Sequence, residues 1–141
     1  MEIGLYQPGW GVVNPTEVTD PTPEFSAIYN DADPDDLTSN YRLQVATSTD
    51  FASFLWDSTK TALASSTPVG HRTELITYAG DALTSSSTYY WRIKFWDDVD
   101  HEGAWSTATS TFTYVNDLIL TTEVCIYWLT QIIQTDTLCI Y

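Results

Sequence analysis

Apolar and polar side chains alternate at every second position over several stretches of this chain. Phe25, Ala27 and Tyr29 alternate with Ser26 and Ile28, and Tyr41, Leu43 and Val45 with Arg42, Gln44 and Ala46. Tyr89, Trp91, Ile93 and Phe95 alternate with Tyr90, Arg92, Lys94 and Trp96. Successive side chains of a strand point to opposite faces, so period two with β-branched and aromatic residues predicts strands buried on one face. Shorter runs at 54–58, 74–78 and 109–115 complete the set. Turn-rich segments at 31–40, 59–70, 80–87 and 97–106 separate them. A single helical turn is expected at 49–54 and no longer helix anywhere. Residues 1–23 carry Gly4, Pro8, Gly9, Gly11, Pro15, Pro21 and Pro23, which excludes a helix and predicts an extended segment with one short edge strand. Six or seven short strands at this spacing predict an all-β chain folded as an immunoglobulin-like antiparallel β-sandwich of about seven strands.

Within that pattern Leu83 precedes Tyr89 by six residues, and Trp91, Ile93 and Phe95 follow at every second position. This arrangement resembles the fibronectin type III family. The stretches YRLQVATSTDFASFLWDS, YYWRIKFWDD and GAWSTATSTFTY resemble its bacterial extracellular and cell-surface members, and together the likeness spans 8–115. The resemblance implies a tyrosine corner, in which the Tyr89 hydroxyl bonds backbone in the preceding loop. It implies a structural spacer or binding module of a secreted or cell-surface protein, with neighbouring domains of a longer chain, a protein or a glycan as partners. The chain departs from the family at Ala27, where many members place a core Trp. Trp91, from the opposite sheet, is expected to fill that volume.

Charge narrows the function classes. With 5 Lys and Arg against 19 Asp and Glu, the formal net charge is -14. A phosphate-binding surface needs clustered cations, so nucleic acid is excluded as a partner, and an anionic membrane surface with it. The chain has no Asn-x-Ser/Thr acceptor and no basic, apolar leader at its start. Its two cysteines, Cys125 and Cys139, leave the region before them to fold without a disulfide.

Two acidic clusters are the strongest candidates for chemistry. NDADPDD (30–36) would join strands B and C of such a sandwich, and DDVDHEG (97–103) strands F and G, so both would lie at one end. Calcium takes six to eight oxygen ligands, and Asp31, Asp33, Asp35, Asp98, Asp100 and Glu102 are the candidate ligands of a Ca2+ ion bridging the two loops. Asp98-x-Asp100-x-Glu102-Gly103 matches half an EF-hand loop, but its twelfth position is Thr109; from Asp31 it is Arg42. The site would therefore not be an EF-hand. The competing reading is two solvated turns, because Asp and Asn cap turns with their own side chains.

No catalytic residue stands out. No pair of acids is singled out for glycosidase chemistry, His71 and His101 lack a second close ligand for zinc, and no GxSxG elbow occurs. Tyr90 and Trp96 fall on the outer face of strand F. They are candidate rings for stacking a glycan, against the alternative that Arg42, Arg92 and Lys94 pack over such rings as cation–π pairs. A carbohydrate-binding module, calcium-stabilised, is thus the alternative to a spacer, and no cofactor is required by either.

The sandwich is expected over 1–115. Residues 116–141 (NDLILTTEVCIYWLTQIIQTDTLCIY) form an apolar, strand-prone extension too interrupted by polar residues to insert in a membrane. It would be the start of a further module, a strand pair that docks or exchanges, or non-native sequence, and a Cys125–Cys139 bridge requires those strands to pair.

Overall fold

The computed structural model describes residues 3–7, 10–12, 14–106 and 110–116. The expected C-terminal extension and its cysteine pairing lie outside the described residues. Among the described residues nine strands form two antiparallel sheets: β1 (Ile3–Gln7), β2 (Trp10–Val12), β3 (Glu24–Ala27), β4 (Leu37–Ala46), β5 (Trp56–Asp57), β6 (Thr61–Pro68), β7 (Ile76–Thr77), β8 (Ser87–Asp97) and β9 (Thr111–Tyr114). One sheet has the order β2-β1-β3-β7; the other has β5-β4-β8-β9, with β6 also paired to β4. This is the immunoglobulin-like sandwich expected from the alternation.

The core lies between the sheets and follows the period-two pattern. Tyr41, Leu43 and Val45 stand opposite Phe95, Ile93 and Trp91 across the β4–β8 ladder, and all six are buried. Phe25 of β3 reaches across to Trp91 at 4.9 Å and to Phe112 at 5.8 Å between ring centroids. The strand-B aromatic is therefore Phe25, two residues before Ala27, and Trp91 packs against it from the other sheet. Full burial of each such ring contributes about 1.5–3 kcal/mol.

The tyrosine corner is present. Tyr89 is 1% exposed, its ring stacks on Phe112 at 5.2 Å, and its hydroxyl accepts the Thr84 N–H at 2.7 Å. Ser86, in the left-handed region at φ 61°, turns the chain from that loop into β8.

Three expectations about elements need correction. The segment 59–70, read as turn, contains β6, an eight-residue strand. Only Leu63 and Thr67 of it are buried, so the strand is specified by backbone pairing with β4 at Leu37–Pro68, Thr38–Thr67, Asn40–Ala62 and Tyr41–Thr61, which side-chain pattern does not register. The N-terminal segment supplies a hairpin of two strands, β1 and β2, and not a single edge strand. Residues 49–54 make a turn, closed by the Phe51 N–H on the Ser48 carbonyl, and Phe51 at φ 51° stops it from continuing as a helix.

The β8–β9 connection is also tighter than expected. A turn at 98–101 closes with Asp100 at φ 72°, after which 102–106 run back antiparallel beside β8. Glu102 bridges Trp96, the Gly103 N–H reaches the Phe95 carbonyl at 2.8 Å and the Ser106 N–H the Ile93 carbonyl at 2.8 Å. That return run decides which way the acidic side chains of this segment face.

Candidate functional site

The β3–β4 loop (28–36) and the β8–β9 turn meet at one end of the sandwich, as their places in the topology require. The carboxyl of Asp36 is raised by burial and then by the charges of Asp33, Asp31, Asp97 and Asp98, drawn from both loops. The Tyr29 hydroxyl, 3% exposed as a residue, is pushed above the ordinary tyrosine range by burial first, then by the charge and hydrogen bond of Asp31 and the charges of Asp36 and Asp97.

Local turn chemistry orders the first loop. Asp31 Oδ1 accepts the Asp33 N–H at 3.1 Å, and Asp33 Oδ1 accepts the Asp35 N–H at 3.1 Å. These are Asx turns, in which a short carboxylate takes the backbone donor two residues on. Asp31 Oδ2 also accepts the Tyr29 hydroxyl at 3.3 Å, which ties the loop to the core.

In the second loop the buried acid is Asp97, at 5% exposure. Its Oδ1 accepts the Val99 and His101 N–H groups at 3.0 and 2.7 Å, and its Oδ2 lies 3.1 Å from His101 Nδ1. Asp97 was not among the six candidate ligands. The signal was available: the inward positions 89, 91, 93 and 95 continue by parity to 97.

Of the six candidates, Asp31 and Asp33 cap turns and Asp35 and Asp98 are exposed. Asp100 pairs with Lys60, and Glu102 with Lys94. Glu102 stands across from Trp96, and cross-strand partners share a face, so it joins the outer side of the sheet and not the loop end. Among the described residues no group of three or more His, Cys, Asp and Glu is arranged to hold a metal ion.

Between the loops lies a cleft of about 330 Å³, lined by Tyr29, Asn30, Asp31, Phe95, Asp97 and His101 together with 103–106. Tyr29 and Phe95 meet edge to face at 5.7 Å beneath it.

The outer face of the β5–β4–β8 sheet carries aromatic and cationic side chains close together. Arg92 lies 4.2 Å from the Phe51 ring and 4.3 Å from the Trp105 ring. Lys94 lies 4.7 Å from Trp105 and 4.9 Å from Trp96, Lys60 5.0 Å from Trp96, and Arg42 5.9 Å from Trp105. Arg42 and Lys94 are directly opposite in register, as are Gln44 and Arg92. Carboxylates offset the like charges. Arg42 grips Asp57 with two bonds, at 2.9 and 2.5 Å, Gln44 donates to the same carboxylate at 2.7 Å, and Gln44 Oε1 accepts from Arg92 at 2.8 Å. The Arg42 bond holds the Asp57 carboxyl well below the usual carboxylate range, against the opposing effect of burial. Of the two candidate glycan rings, Tyr90 is half-buried and Trp96 is 7% exposed beneath Lys60 and Lys94. The Trp96 ring is thus occupied by cations, the packing arrangement of the two that the alternation allowed.

Comparison with known proteins places this sandwich. Residues 11–114 match the family model described as the Rha78A-like, N-terminal immunoglobulin domain. The chain belongs to that family. Two solved structures share the fold of this Rha78A-like immunoglobulin domain. The α-L-rhamnosidase from Dictyoglumus thermophilum matches with a TM-score of 0.69 and 22% identity, over 84% of this chain and 12% of that one. The Streptomyces avermitilis α-L-rhamnosidase complexed with L-rhamnose matches with a TM-score of 0.62 and 24% identity, over 81% of this chain and 11% of that one. The chain thus spans about an eighth of the length of these relatives. No curated protein matches it. Among the described residues no helix is long and apolar enough to cross a membrane.

Proposed function

We propose that the chain acts as a non-catalytic accessory module of a longer, secreted rhamnosidase-like glycoside hydrolase, in which it packs against and positions neighbouring domains. The family match over 11–114 to an N-terminal immunoglobulin domain carries this reading. The small share of each α-L-rhamnosidase that the fold accounts for, 12% and 11%, supports it. Within the immunoglobulin-like class, Leu83 six residues before Tyr89 and the following row of Trp91, Ile93 and Phe95 support the fibronectin type III kind. Of the two binding alternatives, glycan stacking on Tyr90 and Trp96 would require displacing Lys60 and Lys94.

The test is hydrolysis of p-nitrophenyl α-L-rhamnopyranoside. The 141-residue chain releases no nitrophenol above the blank. In the longer protein, deleting 11–114 lowers Tm while kcat/KM at mild temperature stays unchanged. Turnover by the chain alone, or a collapse of kcat/KM in a deletion that still folds, overturns the reading.

A further inference from the structure

Four of the chain's five Lys and Arg residues lie on the outer face of the β5–β4–β8 sheet, and three of the four are paired with acids. Arg42 is held by Asp57, Lys60 by Asp100 and Lys94 by Glu102. Arg92 is the exception. Among the described ion pairs no carboxylate reaches it, and its one described hydrogen bond runs from Nε to Gln44 Oε1 at 2.8 Å. Burial, and then the charge of Arg42, draws its guanidinium below the ordinary arginine value, with Asp57 opposing. That is the behaviour of a cation partly removed from water without a counter-ion of its own.

The guanidinium is held by three separate parts of the chain. Phe51, from the β4–β5 connection, lies against it at 4.2 Å, and Trp105, from the return run, at 4.3 Å. Gln44 of β4 takes its Nε, and Gln44 is itself 2% exposed and fixed by Asp57. Phe51 reaches Arg92 from a backbone at φ 51°, a region that bulky side chains rarely adopt and that collects where a side chain is positioned for binding. What remains is the Nη1–Nη2 edge. Neither Nη has a described partner, and among the described residues no buried side-chain polar atom lacks one, so both Nη groups open to solvent. A flat fork of donors with one uncompensated positive charge therefore stands on a sheet face that the second sheet does not cover.

We propose that Arg92 docks this module onto its neighbour in the longer chain by taking, on its Nη edge, the carboxylate of an aspartate or glutamate there. The inference rests on the module reading above and names the contact through which the module engages its neighbour. A carboxylate meets two in-plane N–H donors side by side, and its single charge equals the one left over. A phosphate dianion would bring one charge too many, because Arg42, Lys60 and Lys94 already have their acids. An acidic sugar also carries a carboxylate, but its ring needs an aromatic face to stack on. Phe51 and Trp105 already lie against Arg92, and Trp96 against Lys60 and Lys94, so those faces are taken. Because the fork is held and partly desolvated before any partner arrives, docking loses little side-chain freedom.

Phenylglyoxal condenses with the two Nη groups of an arginine and so reports whether that edge is free. The 141-residue chain and the longer protein are labelled side by side and read by peptide mass spectrometry. Arg92 is labelled in the chain alone and about tenfold more slowly in the longer protein, the protection that one charged hydrogen bond gives. Arg72, which bonds Ser26 on the other sheet, is the internal reference. Arg92→Gln lowers Tm further in the longer protein than in the chain, since the packing lost against Phe51 and Trp105 is common to both. Equal labelling of Arg92 in the two proteins overturns the proposal, and so does an Arg92 that resists labelling in the chain alone. Slower labelling with the same Tm loss in both overturns it as well, since that is burial without a carboxylate. Protection of Arg92 in the chain alone by sodium galacturonate, at a concentration where sodium acetate has no effect, gives the fork to an acidic sugar instead. The module reading fails separately, through rhamnoside turnover by the chain, whatever the labelling gives.

Discussion

Replacing Tyr89 with Phe removes one hydroxyl and leaves the rest of the tyrosine corner in place. The ring stays 1% exposed and stacked on Phe112 at 5.2 Å, so no cavity opens and the apolar contribution is retained. What goes is the 2.7 Å bond from the Thr84 N–H and a longer one, 3.4 Å, to the Thr84 carbonyl. The loss of a buried partner leaves the Thr84 amide unsatisfied, which costs about 1–3 kcal/mol. We take about 1.5 kcal/mol, since Thr84 is itself exposed and water replaces part of the bond. For a domain of this size each kcal/mol lowers the midpoint by about 4–8 °C, so Tm falls by about 6–12 °C. Urea unfolding followed by tryptophan fluorescence gives the same quantity, through a lower midpoint at unchanged slope. Tyr90→Phe, on the outer face of the same strand, is the control and changes stability by less than about 0.5 kcal/mol. If Tyr89→Phe is as stable as the parent chain, the corner is packing alone and its hydrogen bond carries no stability.

Three further outcomes are expected. Gly80→Ala places a Cβ 2.5 Å from Trp56 Cβ, 2.6 Å from the Leu55 carbonyl oxygen and 2.6 Å from the Tyr78 hydroxyl, so the loop must shift and stability drops by about 1–3 kcal/mol in the same denaturation assay; an unchanged midpoint would mean this approach is not kept in solution. Asp57→Asn destabilises the domain at neutral pH, because the folded state holds that carboxyl below its ordinary 3.8. A depressed carboxyl contributes stability above the unfolded value and loses it as pH falls toward the folded one. The gap between parent and variant therefore narrows below about pH 4, and a gap constant with pH would show the loss to be one of packing. Thermal melts in calcium and in chelator at fixed ionic strength have the same midpoint. A rise with calcium, abolished by Asp33→Asn, would assign a metal to the two loops by linkage.

The sequence was most legible where side chains decide the structure. The inward row of Tyr89, Trp91, Ile93 and Phe95 was correct to the residue, since a buried face imposes its register on the strand. The tyrosine corner was legible through the fibronectin type III resemblance that Leu83 and Tyr89 carry. Strand β6 was missed because six of its eight side chains are not buried, and its place is set by backbone bonds to β4. Phe25 was passed over in favour of Ala27, since parity puts both on the inner face and does not say which one meets Trp91.

At the acidic end, residue chemistry and tertiary placement separate. Composition determined the excess of carboxylates, and strand order determined that 30–36 and 97–103 share one end of the sandwich. Both follow from local pattern and chain connectivity. Which acids face one another was decided only by the folded backbone. The turn at 98–101 sends Glu102 to the outer face beside Trp96, where Lys94 takes it, while Asp97 stays on the inner row. The same holds for the outer face, where alternation identified Arg42, Arg92 and Lys94 as outward cations. The return of 102–106 beside β8 alone brought Trp105 between them, because contacts across a sheet depend on register and not on distance along the chain.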